Sequence, residues 1–335
     1  MNLKKRIIIA EIGMTHDGSL GQALELTKAA AEAGVDAVKY QLHISAAETI
    51  RNAPQPPYFK AEPRYEFFER TAFTKEQWIQ IKKLCMECGV HFIVSPFSIE
   101  AVQILEEIGV DAIKIPSGEI TNIPYLEYIA DTQIPVIISS GMSSWDELKE
   151  CVEIFSRKQC NCAVLQCTSE YPCPPTDVGL NIIDELKALY PECAVGLSDH
   201  SEGIWAAIAA WMKGATIIEK HFTLSKLMYG PDAKMSMEPQ EMKQLCDSIK
   251  SLQLALENPV DKIQCNQYSD MKRIFQKSIV AIKEIKAGTI LTEDMIGYKK
   301  PGTGLETKYY KDIIGKRVIR DLEFDDILSK GDIEW

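Results

Sequence analysis

Short runs of β-branched and other apolar residues recur along the first two thirds of the chain, separated by stretches whose apolar residues fall three or four apart. The runs are KRIIIAEIG (5–13), DAVKYQL (36–42), HFIVSP (91–96), DAIKIPSG (111–118), PVIISSG (135–141), CAVLQCT (162–168), CAVGLSDH (193–200) and TIIEKHFT (216–223). Their cores are almost continuously apolar, as in parallel strands covered on both faces. The intervening stretches carry helix signals. LGQALELTKAAAEAGV keeps a helical period and stops at Gly34. TKEQWIQIKKLCMECGV opens on Thr74 with Gln77 three residues on, a capping box, and stops at Gly89. SIEAVQILEEIGV and SSWDELKECVEIF repeat the plan. Eight strand–helix units within about 250 residues predict a closed (β/α)8 barrel. A doubly wound open sheet competes, but the first turn, EIGMTHDGSL, lacks the GxGxxG pattern such sheets use.

Two regions break the rhythm. Residues 43–73 hold four prolines and little periodicity, and long loops on a barrel usually carry function. After Leu256 the chain turns polar, so residues 257–277 read as a linker following a barrel domain of residues 1–256. Residues 278–335 alternate short strands with turns such as Lys286-Ala-Gly288 and Pro301-Gly-Thr-Gly304, predicting a small domain of mostly strand and loop. At roughly 60 residues it is near the limit of independent stability and is expected to dock on something.

The net charge of −11 gives nucleic-acid binding no electrostatic support, although local lysines can still receive a small anion. The opening MNLKKRIIIAEIG has too short an apolar run for a signal peptide, and no stretch approaches a membrane span. Ten cysteines without a framework fit a reducing cytoplasm, and Cys85-Met-Glu-Cys88 reads as two ordinary helix cysteines.

A barrel gathers its chemistry at the C-terminal ends of its strands. Those ends carry Glu11; Lys39 and Gln41; Ser95; Lys114, Ser117 and Glu119; Ser139 and Ser140; Thr168, Ser169 and Tyr171; Ser198, Asp199 and His200; and Glu219 and His221. Two of the chain's five histidines thus end neighbouring strands. Strands lie about 4.8 Å apart, so His200 and His221 can share one metal ion, with Mn²⁺, Zn²⁺ or Fe²⁺ suited better than Ca²⁺. Cys167 and Cys193 are weaker candidates because neither clearly reaches the rim. Lysines inside a barrel need partners. Lys39 and Lys114, beside small hydroxyls, suggest a phosphate or carboxylate pocket; internal Lys–Glu pairs and a Schiff-base lysine are the alternatives. Glu11 and Glu119 are candidate acid/base groups, expected with depressed pKa values beside lysines and a metal.

The ordered motifs AEIGMTHDGSL, VKYQ, SPF, KIPSGEITNIPYL, SSGM, CTSEYP, GLSDH, EKHFT and GPDAKMSMEP resemble the N-acylneuraminate (sialic acid) synthases over nearly the whole chain. The terminal KKPGTGLE and IGKRVIRDLEFDDIL resemble their antifreeze-like (SAF) domain. The resemblance implies a TIM barrel followed by a SAF domain, and condensation of phosphoenolpyruvate with an N-acylmannosamine-type sugar, releasing phosphate. It implies a divalent metal, most often Mn²⁺, with Mg²⁺ or Co²⁺ as substitutes, held by His200 and His221. It places phosphoenolpyruvate on Lys39, Lys114, Ser117 and Ser95, with Ser198 also in the substrate site. Glu11 and Glu119 match carboxylates near the reacting carbons; Gln41, Tyr171 and Asp232 match sugar contacts. It further implies a homodimer in which each SAF domain caps the partner barrel, bringing Lys300 toward the sugar. Two positions depart from the family pattern: Thr15 stands where Asn is usual, and Lys300 where Arg is usual. Lysine keeps the charge but loses the planar fork. Legionaminate and pseudaminate synthases are alternatives within the family, and KIPSGEITN favours the neuraminate and legionaminate types. A barrel synthase using a sugar phosphate would need a second phosphate site, for which the strand ends offer no arginine cluster. A non-catalytic carbohydrate-binding protein is the most distant alternative.

Overall fold

The structure, a computed structural model, describes residues 1–55, 61–263 and 266–335. Part of the 43–73 loop and of the 257–277 segment therefore lies outside the described residues. The chain divides into two compact units, Met1–Leu256 and Glu257–Trp335.

In the first unit each apolar run forms a strand: β1 Ile7–Gly13, β2 Ala37–Leu42, β3 His91–Pro96, β4 Ala112–Ile115, β5 Val136–Ser139, β6 Cys162–Cys167, β7 Ala194–Asp199 and β8 Ile217–His221. They pair in sequence order, all parallel, and β8 closes on β1: the fold is a TIM barrel. The helix signals hold as well. Helix Leu20–Ala33 is capped by the Ser19 side chain and ends at Gly34, whose φ of 96° favours a residue without a Cβ. Helix Lys75–Cys88 carries the complete Thr74–Gln77 capping box. Cys85 is buried on this helix, and burial pushes its thiol up to about 12, so it packs as an apolar residue.

Strand alternation sorts the barrel into two cores. Residues pointing outward, such as Ile8, Ala10, Val38, Val94 and Ile138, pack under the helices in the larger core. Those pointing inward form a second cluster from Ile7, Ile9, Ala37, Ile93, Ala112, Ile137, Ala163, Leu165, Ala194 and Ile217, floored by Leu3. The interior leaves no spare room: a Cβ on Gly196 would stand 2.3 Å from the Ile217 carbonyl oxygen. Continuing each inward series by two residues replaces apolar side chains with polar ones: Ile9 by Glu11, Ala37 by Lys39, Ile93 by Ser95, Ala112 by Lys114, Ile137 by Ser139, Leu165 by Cys167 and Ile217 by Glu219. All seven of these polar residues line one cavity.

The connection after β2 is more regular than its composition predicts. It contains helices Ser45–Glu48 and Arg64–Thr71, the second seated by buried Tyr65, Phe67 and Thr71. The second unit has one antiparallel pair, β9 Ser278–Ala281 with β10 Ile296–Lys299, and isolated bridges such as Ile285 to Leu322. Its core includes Ile279, Leu291, Leu305, Val318 and Leu328. Within the segment read as a linker, Ser269–Phe275 is a short helix.

Candidate active site

The cavity at the C-terminal end of the barrel has a volume of about 470 Å³, within the range of small-molecule sites. Four charged side chains form its floor. Lys39 Nζ lies 2.9 Å from Glu11 Oε2 and 3.5 Å from Glu219 Oε1, and Lys114 Nζ lies 3.7 Å from Glu219 Oε1. The anion-pocket and ion-pair readings of the lysines therefore coexist: both are buried, paired and open to the cavity. Ser198 donates to Glu219 at 3.0 Å, Lys39 donates to Ser95 at 3.4 Å, and Ser117 and Ser139 share a 2.8 Å hydrogen bond.

The two carboxylates separate electrostatically. Burial raises the Glu11 pKa and outweighs Lys39, so the depressed value expected from its neighbours is not found. Burial also acts against ionised Glu219, but Lys114 and Lys39 prevail and hold that carboxyl below its ordinary range. Burial lowers Lys114, while Glu11 and Glu219 overcome burial at Lys39 and raise it.

The histidine pair is assembled by the residues between its members. His200 and His221 face the cavity with ring centroids 5.4 Å apart. Behind them, outward-pointing Lys220 donates to Asp199 at 2.9 Å and to the Ser201 and Gly203 carbonyls at 2.8 and 2.9 Å. That buried pair ties the ends of β7 and β8 together. His200 Nδ1 donates to the Thr168 carbonyl at 2.8 Å, and the ring also hydrogen-bonds the Cys167 thiol. His221 Nδ1 is buried without a hydrogen-bond partner, and burial with His200 nearby keeps this imidazole neutral. A neutral ring with an orphaned nitrogen beside one oriented by a carbonyl fits a divalent metal. Among the described residues no group of three or more His, Cys, Asp or Glu side chains is arranged around one point. His200 and His221 are the two cavity imidazoles that could hold such an ion.

Most residues singled out in the sequence meet here. Gln41, Ser95, Ser117, Tyr171, Ser198 and Asp232 line the cavity with Glu11, Lys39, Lys114 and both histidines. Tyr171 lies against His200 at 4.2 Å between centroids. Asp232 accepts the Met14 N–H at 3.2 Å, a close approach that depends on Gly13: with φ at 53°, a Cβ there would stand 2.8 Å from Asp232 Oδ2. Two residues do not join the cavity walls. Glu119 sits on the turn beyond Ser117, accepts a 2.7 Å hydrogen bond from Asn122 and is absent from the lining. Lys300 belongs to the second unit, where its ammonium lies 4.9 Å from the Phe275 ring centroid. Thr15 spends its hydroxyl inside the barrel on the Ile12 and Phe222 carbonyls, at 2.8 and 3.1 Å.

Three lining residues escaped the sequence reading or were undervalued by it. Cys167 does reach the rim; burial raises its thiol, but His200 and Lys114 prevail and bring it to about 6. Cys193 instead contacts Cys162 at the start of β6, with 2.7 Å between sulfurs. Glu219 is half of the charged floor. His43 continues the inward series Ala37, Lys39, Gln41 one step past β2 and lines the cavity. Inward alternation was the available signal for all three.

A parallel eight-stranded barrel with two lysines, an acid pair and a histidine pair at its C-terminal rim is the architecture of an enzyme acting on a small anion. The chain belongs to the NeuB family, whose model matches residues 26–261, and a SAF domain matches residues 276–334. It is 36% identical to the N,N'-diacetyllegionaminic acid synthase of Campylobacter jejuni, over 98% of this chain and 100% of that protein. It is 35% identical to human N-acetylneuraminate-9-phosphate synthase, over 96% of this chain and 91% of that protein. Among solved structures it is similar to the N-acetylneuraminic acid (sialic acid) synthetase of Leptospira borgpetersenii in complex with citrate. That match has a TM-score of 0.69 and 32% identity, covering 80% of this chain and 90% of the other. The protein is thus a sialic-acid-type synthase, one of the phosphoenolpyruvate-utilising condensing enzymes.

Proposed function

We propose that the protein condenses phosphoenolpyruvate with N-acetylmannosamine or a related 2-acetamido sugar to give a nonulosonate and phosphate. The observation that carries this reading is the meeting of Lys39 and Lys114 with His200 and His221 in one cavity. Lys39 and Lys114, with Ser95, Ser117 and Ser139, receive the phosphate and carboxylate of the enol ester. Gln41, Asp232 and Tyr171 hold the open-chain sugar above it. His200 and His221 would hold a divalent ion, Mn²⁺ first and Mg²⁺ or Co²⁺ as substitutes, which supplies Lewis-acid polarisation of the aldehyde. C3 of phosphoenolpyruvate forms the new bond to the aldehyde carbon; water adds at C2, and the C2–O bond to phosphate breaks. Glu11 is the proton carrier for the oxygen of the former aldehyde, because burial raises its pKa and it lines the cavity. Glu119, outside the lining, is not needed for that step.

Phe68, Phe97, Met14, Met142 and Pro54 are apolar members of the lining, and Arg64 is a further cation in it. This favours a second reading within the same class, a 6-deoxy diacetamido acceptor of legionaminate type, over a 6-phosphorylated sugar. The reading extends to a homodimer whose SAF domains cap the partner barrels and to a cytoplasmic location, which the free cysteines suit.

The test is phosphate release from phosphoenolpyruvate with Mn²⁺ and an acceptor panel: N-acetylmannosamine, its 6-phosphate, and the diacetamido 6-deoxy sugar. Release strictly dependent on an unphosphorylated acetamido sugar supports the proposal. Release driven by the 6-phosphate alone, or without any acceptor, overturns it.

A further inference from the structure

An imidazole outside the charged floor holds a position that the condensation chemistry does not itself explain. His43 follows β2 and is clamped flat between two rings, Phe68 at 3.6 Å and 9°, and Phe97 at 4.1 Å and 20°. Its Nδ1 faces both oxygens of Glu48, at 2.9 and 3.0 Å, and its Nε2 faces Gln41 Oε1 at 3.1 Å. The side chains of His43 and Glu48 are only 2% and 3% exposed. Gln41 in turn donates from Nε2 to Glu11 Oε1 at 2.7 Å, while the other Glu11 oxygen lies 2.9 Å from Lys39.

The directions of these bonds are fixed by chemistry. Glu11 Oε1 accepts the Gln41 amide N–H at 2.7 Å, which turns the Gln41 carbonyl the other way. That carbonyl then faces His43 and can only accept, so His43 must carry a proton on Nε2. That requirement holds whether the proton between Nδ1 and Glu48 sits on the ring or on the carboxyl. The aromatic clamp stops the ring from tilting away, and Glu48 stops it from rotating about its own axis. Without His43, the Gln41 carbonyl loses its donor, and the single contact with Glu11 is left to hold a side chain that can then swing out of place.

We propose that His43, backed by Glu48, is a positioning residue that fixes the amide of Gln41 and through it presents Glu11 and Gln41 to the acceptor sugar. The kinetic part of this proposal rests on the condensation reading; the geometric part does not.

His43→Phe keeps a flat ring in the clamp and removes both nitrogens, whereas His43→Gln keeps a donor near the place of Nε2. Wild type and variants, with Gln41→Ala and the double variant, are assayed with phosphoenolpyruvate and whichever acetamido sugar the panel shows is turned over. His43→Phe is expected to lower kcat/KM for the sugar by about 10- to 100-fold, mostly through KM, and His43→Gln by about threefold or less. The double variant His43→Phe/Gln41→Ala is expected to be no slower than Gln41→Ala, because both remove one function. Multiplying effects, equal damage from Phe and Gln, or an unaffected His43→Phe would overturn the proposal. Should His43→Phe fail to fold, Glu48→Gln takes its place in the cycle with the same criterion. A crystal structure of the variant tests the geometry without any acceptor. Gln41 Nε2 should move beyond hydrogen-bond reach of Glu11 Oε1, and retention of that contact would overturn the assignment.

Discussion

Lys220 grips Asp199 at 2.9 Å on the side of the barrel wall opposite the two histidines, with side chains 3% and 1% exposed. Neither residue faces the cavity, yet each sits next to one that does. The pair sets the separation of the imidazoles by fastening the strand ends that carry them. Lys220→Met is therefore expected to destabilise the fold by about 3–5 kcal/mol, because it strands a buried carboxylate. It should also weaken Mn²⁺ binding by about 10- to 100-fold in protein that still folds. Chemical denaturation and a Mn²⁺ titration followed by electron paramagnetic resonance measure the two effects separately.

Removing a ligand outright has a different signature. His200→Ala and His221→Ala should each keep near-native thermal stability and lose about 100-fold or more in metal affinity if, as proposed, these two imidazoles hold the ion. Chelation of the wild type should abolish phosphate release, and added Mn²⁺ should restore it. Full activity in chelator would remove the metal from the mechanism.

The charged floor balances two cations against two carboxylates, so a single neutralisation leaves an imbalance. Lys39→Met should lower stability by about 3 kcal/mol, and adding Glu11→Gln should recover part of the loss. Equilibrium unfolding of the two single variants and the double variant supplies the cycle. Both Lys39 variants should bind phosphoenolpyruvate poorly in calorimetry, because recovering the fold does not restore the cation.

Part of the acid sensitivity should trace to a histidine away from the chemistry. His16 is 1% exposed, accepts the Gly18 N–H on Nδ1 at 3.0 Å and leaves Nε2 without a partner. Burial, with His43 adding to it, lowers its pKa to about 3. The unfolded chain binds a proton at this residue below about pH 6.5, whereas the folded chain does not until about pH 3. Stability therefore rises with pH across that window and is lost as pH falls through it. The loss at this site should reach about 2 kcal/mol by about pH 5. His16→Gln should flatten that limb of the stability curve; an unchanged slope would assign the acid sensitivity elsewhere.

Lys300 stands where the family resemblance implies arginine, in the domain proposed to cap a partner barrel. Lys300→Ala should raise KM for the sugar at least about tenfold while leaving KM for phosphoenolpyruvate within about twofold, and Lys300→Arg should restore it. Equal effects on both substrates would mean that the residue acts outside acceptor recognition.

Much of the site was legible because a barrel converts sequence order into geometry. Once eight apolar runs are recognised as strands, their last residues share one rim, and Glu11, Lys39, Lys114, His200 and His221 follow. Balances between opposing effects were harder to read. Glu11 and Glu219 share Lys39, yet burial wins at one and the lysines win at the other, which depends on distances of 2.9, 3.5 and 3.7 Å. His43 was missed because it lies just beyond a strand, inside a proline-rich stretch read as loop, and because its partners Phe68 and Phe97 are distant in sequence. Glu119 lies just outside the cavity lining, where its carboxylate accepts from Asn122.

The flat stack of Phe68, His43 and Phe97 joins two kinds of chain, an excursion from the barrel and the ends of two of its strands. The lysines and serines proposed to receive the enol ester, and the two histidines, all belong to the strand ends and the turns beside them, and none comes from the excursion. Exchanging residues 44–73 between relatives would thus redraw one side of the mouth without disturbing the bond-making apparatus beneath it. On the proposed function, acceptor preference can shift through this excursion while the coupling apparatus beneath it stays unchanged.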